Sequence, residues 1–173
     1  MQAPRAQRRQ DARGPYPQPT LRSSQKLSAG LLPFRQTGQL EVLIAHPGGP
    51  FWASKDAGHW TLIKGEVGPD EDPREAAARE FGEETGWAAP AAGWLDLGRV
   101  RLRSGKTVVA WAIEADFDPV RLAPGVFSMV WRGRRQEFPE IDRVLWCDRI
   151  QAQALLNPAQ AEFVERLRLL VGA

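Results

Sequence analysis

The segment DPREAAAREFGEETG, Asp72 to Gly86, commits this chain to a helix. Asp72 is placed to cap it, Pro73 fits the first helical position, and Glu75 stands where a capping-box acid belongs. Ala76, Ala77 and Ala78 carry the helix forward, and Gly86 is a natural stop. Two features run against this design. Gly82 lies inside the helix, at a cost of about 1 kcal/mol relative to alanine. Glu80, Glu83 and Glu84 also repel one another at helical spacing.

On either side the apolar pattern reads as strands. KLSAGLLPFR and LEVLIAHP form a hairpin around QTGQ, and residues 48–59 form a long Gly-rich loop of the kind that often carries function. WTLIKGE is short and extended, and two strands flank the turn RSGK. VFSMVWRG and RVLWCD read as further strands, followed by the helices RIQAQALL and PAQAEFVERLRLLV. Mixed strands around one central helix, closed by terminal helices, argue for an α/β sandwich.

Composition narrows the chemistry. The 173 residues suit one domain, with 43% hydrophobic and 25% charged residues. No apolar run approaches the roughly 20 residues of a membrane span, and the arginine-bearing N-terminus lacks the apolar stretch of a secretory leader. A lone cysteine, Cys147, excludes an internal disulfide and fits a cytoplasmic protein. With His46 and His59 the only histidines, the usual zinc clusters are excluded, so any metal must be a hard, oxygen-preferring cation. Arg5, Arg8, Arg9, Arg13, Arg22 and Lys26 stand against Asp11 alone at the N-terminus, so the rest of the chain is net acidic although the whole is at +2. Residues 1–25, rich in Pro, Gln and Arg, are expected to be a disordered basic tail, and 26–173 the folded domain. A solvated extension is preferred for that tail over an arm that touches nucleic acid.

Residues three and four apart share a helix face, so Glu80, Glu83 and Glu84 project together while Phe81 turns with Ala77 toward the sheet. Arg79 is spaced to pair with Glu75 and Glu83. The carboxylate cluster suits Mg²⁺ or Mn²⁺. Taken alone, three glutamates are better read as a solvated helix face.

The flanking residues decide between these. From Gly65 the chain reads GEVGPDEDPREAAAREFGEETGW, with Gly65, Glu71, Arg79, Glu80, Phe81, Glu83, Glu84, Gly86 and Trp87 as fixed points. This resembles the Nudix box, G-x5-E-x7-R-E-U-x-E-E-x-G-U with U bulky and apolar, at every position. A chance match has a probability on the order of 10⁻⁷ from average residue usage. The resemblance implies a Nudix-type α/β/α sandwich with a mixed β-sheet and a catalytic loop-helix-loop, hydrolysing nucleoside diphosphates linked to another group. It implies that Glu80, Glu83 and Glu84, with the Gly65 carbonyl, bind Mg²⁺ or Mn²⁺, that Arg79 orients a glutamate, and that Glu71 braces the loop. Family members often take a further metal ligand or general base from just before a late tryptophan-bearing strand. Glu140 is the first choice here and Glu137 the second.

HWTLIKGEV is similar to the lead-in of diadenosine tetraphosphate hydrolases, with Ile63 replacing a proline, and places Lys64 toward the phosphates. Among bacterial predicted NTP pyrophosphohydrolases, SAGLLPFR and LEVLIAHPGGPFW have counterparts. The proline typical of ADP-ribose hydrolases is replaced by Leu102, and Arg103 stands near where one dinucleoside polyphosphate class has a tyrosine. Dinucleoside polyphosphates or (d)NTPs are therefore favoured as small-molecule substrates. Trp52 and Trp131 are candidates to stack on a base, and Lys55 and Arg135 to reach distal phosphates, whereas Trp60, Trp94, Trp111 and Trp146 are expected in the core. RSGKTV is not a P-loop, because the required earlier glycine is Val100. Two alternatives remain: a non-catalytic Nudix-fold module that senses a nucleotide, and a pyrophosphohydrolase of RNA 5′ ends using the basic tail. Gly82 is expected to serve close packing or to make room for substrate.

Overall fold

Leu27–Gln36 (β1) and Leu40–Pro47 (β2) dictate a layered molecule. In β1, Ala29 and Leu31 join one core while Leu32 and Phe34 join another; in β2, Leu43 and Ala45 join the first and Val42 and Ile44 the second. Strands that are apolar on both faces must be covered on both. The computed structural model describes residues 26–173. The expected disordered tail, residues 1–25, lies outside them.

The chain continues through β3 (Ile63–Glu66), α1 (Pro73–Thr85), β4 (Leu95–Arg101), β5 (Thr107–Glu114), β6 (Val126–Trp131), β7 (Arg134–Pro139), β8 (Ile141–Asp148), α2 (Arg149–Leu155) and α3 (Pro158–Val171). The main sheet has the order β4-β5-β1-β2-β8, with β3 also on β1. β1 and β5 run parallel and the other pairs antiparallel, so the sheet is mixed. Two strands share one edge of β1: β3 pairs with Ser28 to Leu31, and β2 with Phe34 to Gln36. α1 buries Ala76, Ala77 and Phe81 in the first core, and α3 buries Phe163, Val164 and Leu167 in the second. Full burial of Phe81 alone contributes about 1.5–3 kcal/mol. The α/β sandwich expected from the sequence is the observed fold.

α1 begins and ends where its sequence signals stand. The Asp72 carboxylate accepts from the amides of Arg74 (2.9 Å) and Glu75 (3.2 Å), and Gly86, at φ 77°, donates its amide to the Gly82 carbonyl at 2.8 Å. Of the two reasons expected for Gly82, close packing is corrected. A Cβ there would meet only the Trp87 carbonyl oxygen, at 3.6 Å, which is ordinary contact.

β7 was not legible as a strand. RRQEFP lacks a continuous apolar face, and it pairs with β6 in a two-stranded ribbon outside the main sheet, turning at Arg132 and Gly133. Trp60 is buried, and Trp94, Trp111 and Trp146 pack against the first core. Among the described residues no helix is long and apolar enough to cross a membrane.

Candidate functional site

β3 passes directly beneath the second half of α1, and this crossing builds the site. The Lys64 amide donates to Glu84 Oε2 at 3.0 Å. One residue on, Gly65 leaves room for the Glu80 side chain, since a Cβ at Gly65 would lie 1.9 Å from the Glu80 carboxyl carbon. Only glycine permits that approach.

Arg79 organises the acids around it. Its guanidinium donates to both oxygens of Glu71 (2.8 and 3.0 Å), to Glu80 Oε1 (2.8 Å), to Glu83 Oε2 (3.1 Å) and to the Glu66 carbonyl (3.1 Å). The expected partner Glu75 is replaced by Glu71, which the preceding loop brings back across the helix as a two-pronged acceptor. Arg79 and the Gly68 amide, which donates to Glu71 at 2.7 Å, hold the Glu71 carboxyl down at about 2. Glu71 thus braces the loop while Arg79 orders Glu80 and Glu83. Each of these two keeps one oxygen free of the guanidinium.

Backbone bonds bring a fourth acid alongside. The Glu83 carbonyl accepts from Gly125, the Gly125 carbonyl from Glu140, and the Glu140 carbonyl from Gly48, at 2.8, 2.9 and 2.9 Å. This chain of contacts ties α1, the start of β6, the β7–β8 junction and the Gly-rich loop together. Burial raises the Glu140 carboxyl, and the charges of Glu80 and Glu83 raise it further. Glu84 is pushed up to about 8, first by burial, with Glu80 and Glu140 adding to the rise and Lys64 opposing it. Desolvation conversely lowers Lys64, against the pull of Glu84. The negative charge of Glu80, Glu83, Glu84 and Glu140 gathered here makes an electrostatic site for a cation.

The donor set fits a hard divalent ion: it offers oxygen alone, it is crowded with negative charge, and each of Glu80 and Glu83 retains a free oxygen. Among the described residues no three acidic, histidine or cysteine side chains are already gathered closely enough to hold an ion. Binding therefore requires these side chains to draw together.

Lys64, Glu84 and Glu140 line a cleft of about 970 Å³. Trp52 and His59 line it too, as do Arg101 and Arg103. The Lys55 ammonium lies over the Trp52 ring at 4.8 Å, and Lys55 itself does not line the cleft. Three other expected residues are not brought together with the acids. Glu137 pairs across the ribbon with Ser128, Arg135 with Val130, and Trp131 stands edge-on to Phe51 at 5.3 Å; none of them lines the cleft. The β6–β7 ribbon explains the difference, because Glu137 and Arg135 lie on β7 and Trp131 at the end of β6, outside the main sheet.

Sequence reasoning passed over His59, Arg101, Arg103 and Gln160. Gln160 Oε1 accepts from Thr61 Oγ1 and from the Leu62 amide, both at 2.9 Å, and so fastens α3 to the lead-in of β3. Nothing local marks a glutamine in a helix for that role. Arg103 was read as part of a hairpin turn, which it is, and Arg101 falls in the strand before it; that this hairpin end borders a cleft depends on the sheet order.

Comparison with known proteins adds family information. The family model described as the NUDIX domain matches residues 24–167. No curated protein matches the chain. Among solved structures, a Caenorhabditis elegans Ap4A hydrolase binary complex is 20% identical, with TM-score 0.59, covering 84% of this chain and 98% of that one. The NUDIX domain of Shewanella oneidensis NrtR, complexed with ADP ribose, is 18% identical, with TM-score 0.58, covering 86% and 89%. A MutT protein from Methanosarcina mazei is 22% identical, with TM-score 0.57, covering 89% and 100%. At these identities the three structures speak for the fold.

Proposed function

The chain belongs to the Nudix family and is a Nudix hydrolase, and from that premise we propose that it is a divalent-metal-dependent pyrophosphohydrolase of nucleotide-linked substrates, favouring dinucleoside polyphosphates or (d)NTPs. One observation carries the reading. Glu84, Glu140 and Lys64 meet at a single cleft wall, beside Glu80 and Glu83 held by Arg79.

In this reading Glu80, Glu83 and Glu84, with the Gly65 carbonyl, hold Mg²⁺ or Mn²⁺, and Glu140 stands as a further ligand or base. A bound divalent cation supplies charge neutralisation on the phosphates and a more acidic water. Lys64 offers its ammonium to the phosphate oxygens from the cleft wall. Glu140, with its carboxyl raised, is suited to take a proton from the attacking water at a carboxylate oxygen. Arg79 acts through others, keeping Glu80 and Glu83 in place. The Trp52 ring supplies a stacking face for a base. The cleft volume lies near the top of the roughly 300–1,000 Å³ range of small-molecule sites, which favours a ligand larger than a lone nucleotide. The buried single thiol supports placing this activity in a reducing cytoplasm.

The experiment is a substrate panel with product identification in Mg²⁺, in Mn²⁺ and in EDTA, run on wild type and Glu84→Gln. Metal-dependent release of products cut at a pyrophosphate link is expected for wild type, with a drop of at least ~10²-fold for the variant. A fully active Glu84→Gln, or cleavage unaffected by EDTA, refutes the assignment.

A further inference from the structure

The cations around the site are already engaged, with two exceptions. Arg79 is spent on Glu71, Glu80 and Glu83; Lys26 and Lys106 pair with Glu66; Arg143 pairs with Asp142. Lys64 lies against Glu84. Arg101 closes β4 opposite Thr107, and Arg103 follows in the turn fastened by the bonds between Leu102 and Lys106 and between Gly105 and Leu102, both 2.8 Å. Both arginines line the cleft, and neither makes an ion pair or a side-chain hydrogen bond among the described residues. Leu102 between them packs against the second core, which anchors the segment that carries them.

A second source of anion affinity in the same cleft is closed off. The first turn of α3 also lines it, but the amides of Ala159, Gln160 and Ala161 are bonded to Asn157 at 3.1, 2.8 and 3.0 Å. That helix end has already satisfied its donors. Positive charge facing the cleft away from the acids therefore comes from the two arginines.

Their position sets what they can hold. In the sheet, β3 and β4 are separated by β1 and β5. That is three strand spacings, or on the order of 14 Å, between the strand bearing Lys64 and the strand ending in Arg101. A diphosphate gripped at Lys64 and the glutamates does not cross that gap; a longer phosphate chain, met by two extended arginine arms, does. Guanidinium groups are matched to phosphate by geometry as well as charge.

We propose that Arg101 and Arg103 bind the phosphates that extend beyond the scissile pair, so that this cleft selects chains of three or more phosphates over diphosphates. The inference rests on the proposed function for which phosphates are cleaved, and adds residues that determine specificity. It also replaces Lys55 and Arg135, which the sequence favoured for distal phosphates and which stand outside the cleft wall.

The test uses the full chain and needs no turnover. Inorganic tripolyphosphate and inorganic pyrophosphate are titrated calorimetrically in EDTA against wild type, Arg101→Gln, Arg103→Gln and the double variant. Wild type is expected to bind tripolyphosphate at least tenfold more tightly than pyrophosphate, and the double variant to lose most of that preference. The single variants apportion the loss between the two arginines. Circular dichroism of each variant separates lost binding from lost folding, and Arg103→Lys serves as a second, fold-preserving variant with a partial loss. A wild type without preference, or a folded double variant that keeps it, overturns the inference. Because these titrations contain no metal and read binding alone, they can fail while hydrolysis succeeds, and succeed while hydrolysis fails.

Discussion

Replacing Gly65 by alanine separates the architecture of the site from its chemistry. The backbone accepts the change, since Gly65 is not in the left-handed region and pairs with Ala29 in a regular ladder. The obstacle is the Glu80 carboxylate, whose carbon and Oε2 would lie 1.9 Å from the new Cβ, where ordinary contact begins at 3.4 Å. About 1.5 Å of displacement is needed, and it falls on the far end of a flexible side chain. Glu80 therefore swings away and releases Arg79, at a cost of about 1 kcal/mol for a pair only partly open to solvent. The gain from restricting the unfolded chain, about 0.4–1 kcal/mol, offsets most of it. Function has no such cushion, because misplacing a group by about 1 Å costs on the order of 10²-fold in rate. Gly65→Ala is thus expected to melt close to wild type while its metal-dependent kcat falls about a hundredfold. Thermal melts and steady-state kinetics on one preparation measure both. A variant that keeps wild-type kcat, or one that loses activity only by unfolding, refutes this account of Gly65.

Gly82→Ala, in contrast, meets nothing closer than 3.6 Å and should raise stability by up to about 1 kcal/mol, read as a higher urea midpoint at unchanged slope. Glu71, held at about 2 against its ordinary 4.5, contributes stability that is fully present above 4.5 and lost as pH falls toward 2. The stability gap between wild type and Glu71→Gln should therefore be flat at neutral pH and close across that acid range; a gap independent of pH counts against the brace. Cys147 is buried, and its thiol is pushed up to about 12, by burial first and then by Asp148 and Glu41. Thiol reagents should label it at mildly alkaline pH only at the rate of unfolding, and rapid labelling of the native protein contradicts the packing.

The parts of the molecule written in local signals were legible in the sequence. α1 starts at Asp72 and stops at Gly86 because a cap and a left-handed glycine act within one turn. β1 and β2 read as strands because branched and apolar residues fill both faces. Glu80, Glu83 and Glu84 were visible because helical spacing alone aligns them. What was not legible depends on distant pairing. β7 is defined by its partner β6 and not by its own composition, and so Glu137 and Arg135 on it, with Trp131 at the end of β6, were drawn toward a site that they do not line. Arg79 was assigned Glu75 from its spacing on the helix, yet Glu71 reaches it from the loop. Arg101 and Arg103 gain their meaning only from a sheet order that sets β4 beside β5.

The opposite edge of β1, and the outer edge of β2, also govern when the site comes into being. Leu27 pairs with Thr107, and Glu41 with Asp148. As the chain emerges from a ribosome, β1 waits on the order of 4 to 16 s for its parallel partner at about 5–20 residues per second. Glu140 and β8 arrive later still. Until then β1 and β2 expose open edges, the kind of surface that recruits other nascent chains. Nascent chains arrested before residue 140 should bind no tripolyphosphate, whatever the state of the helix that bears three of the four acids.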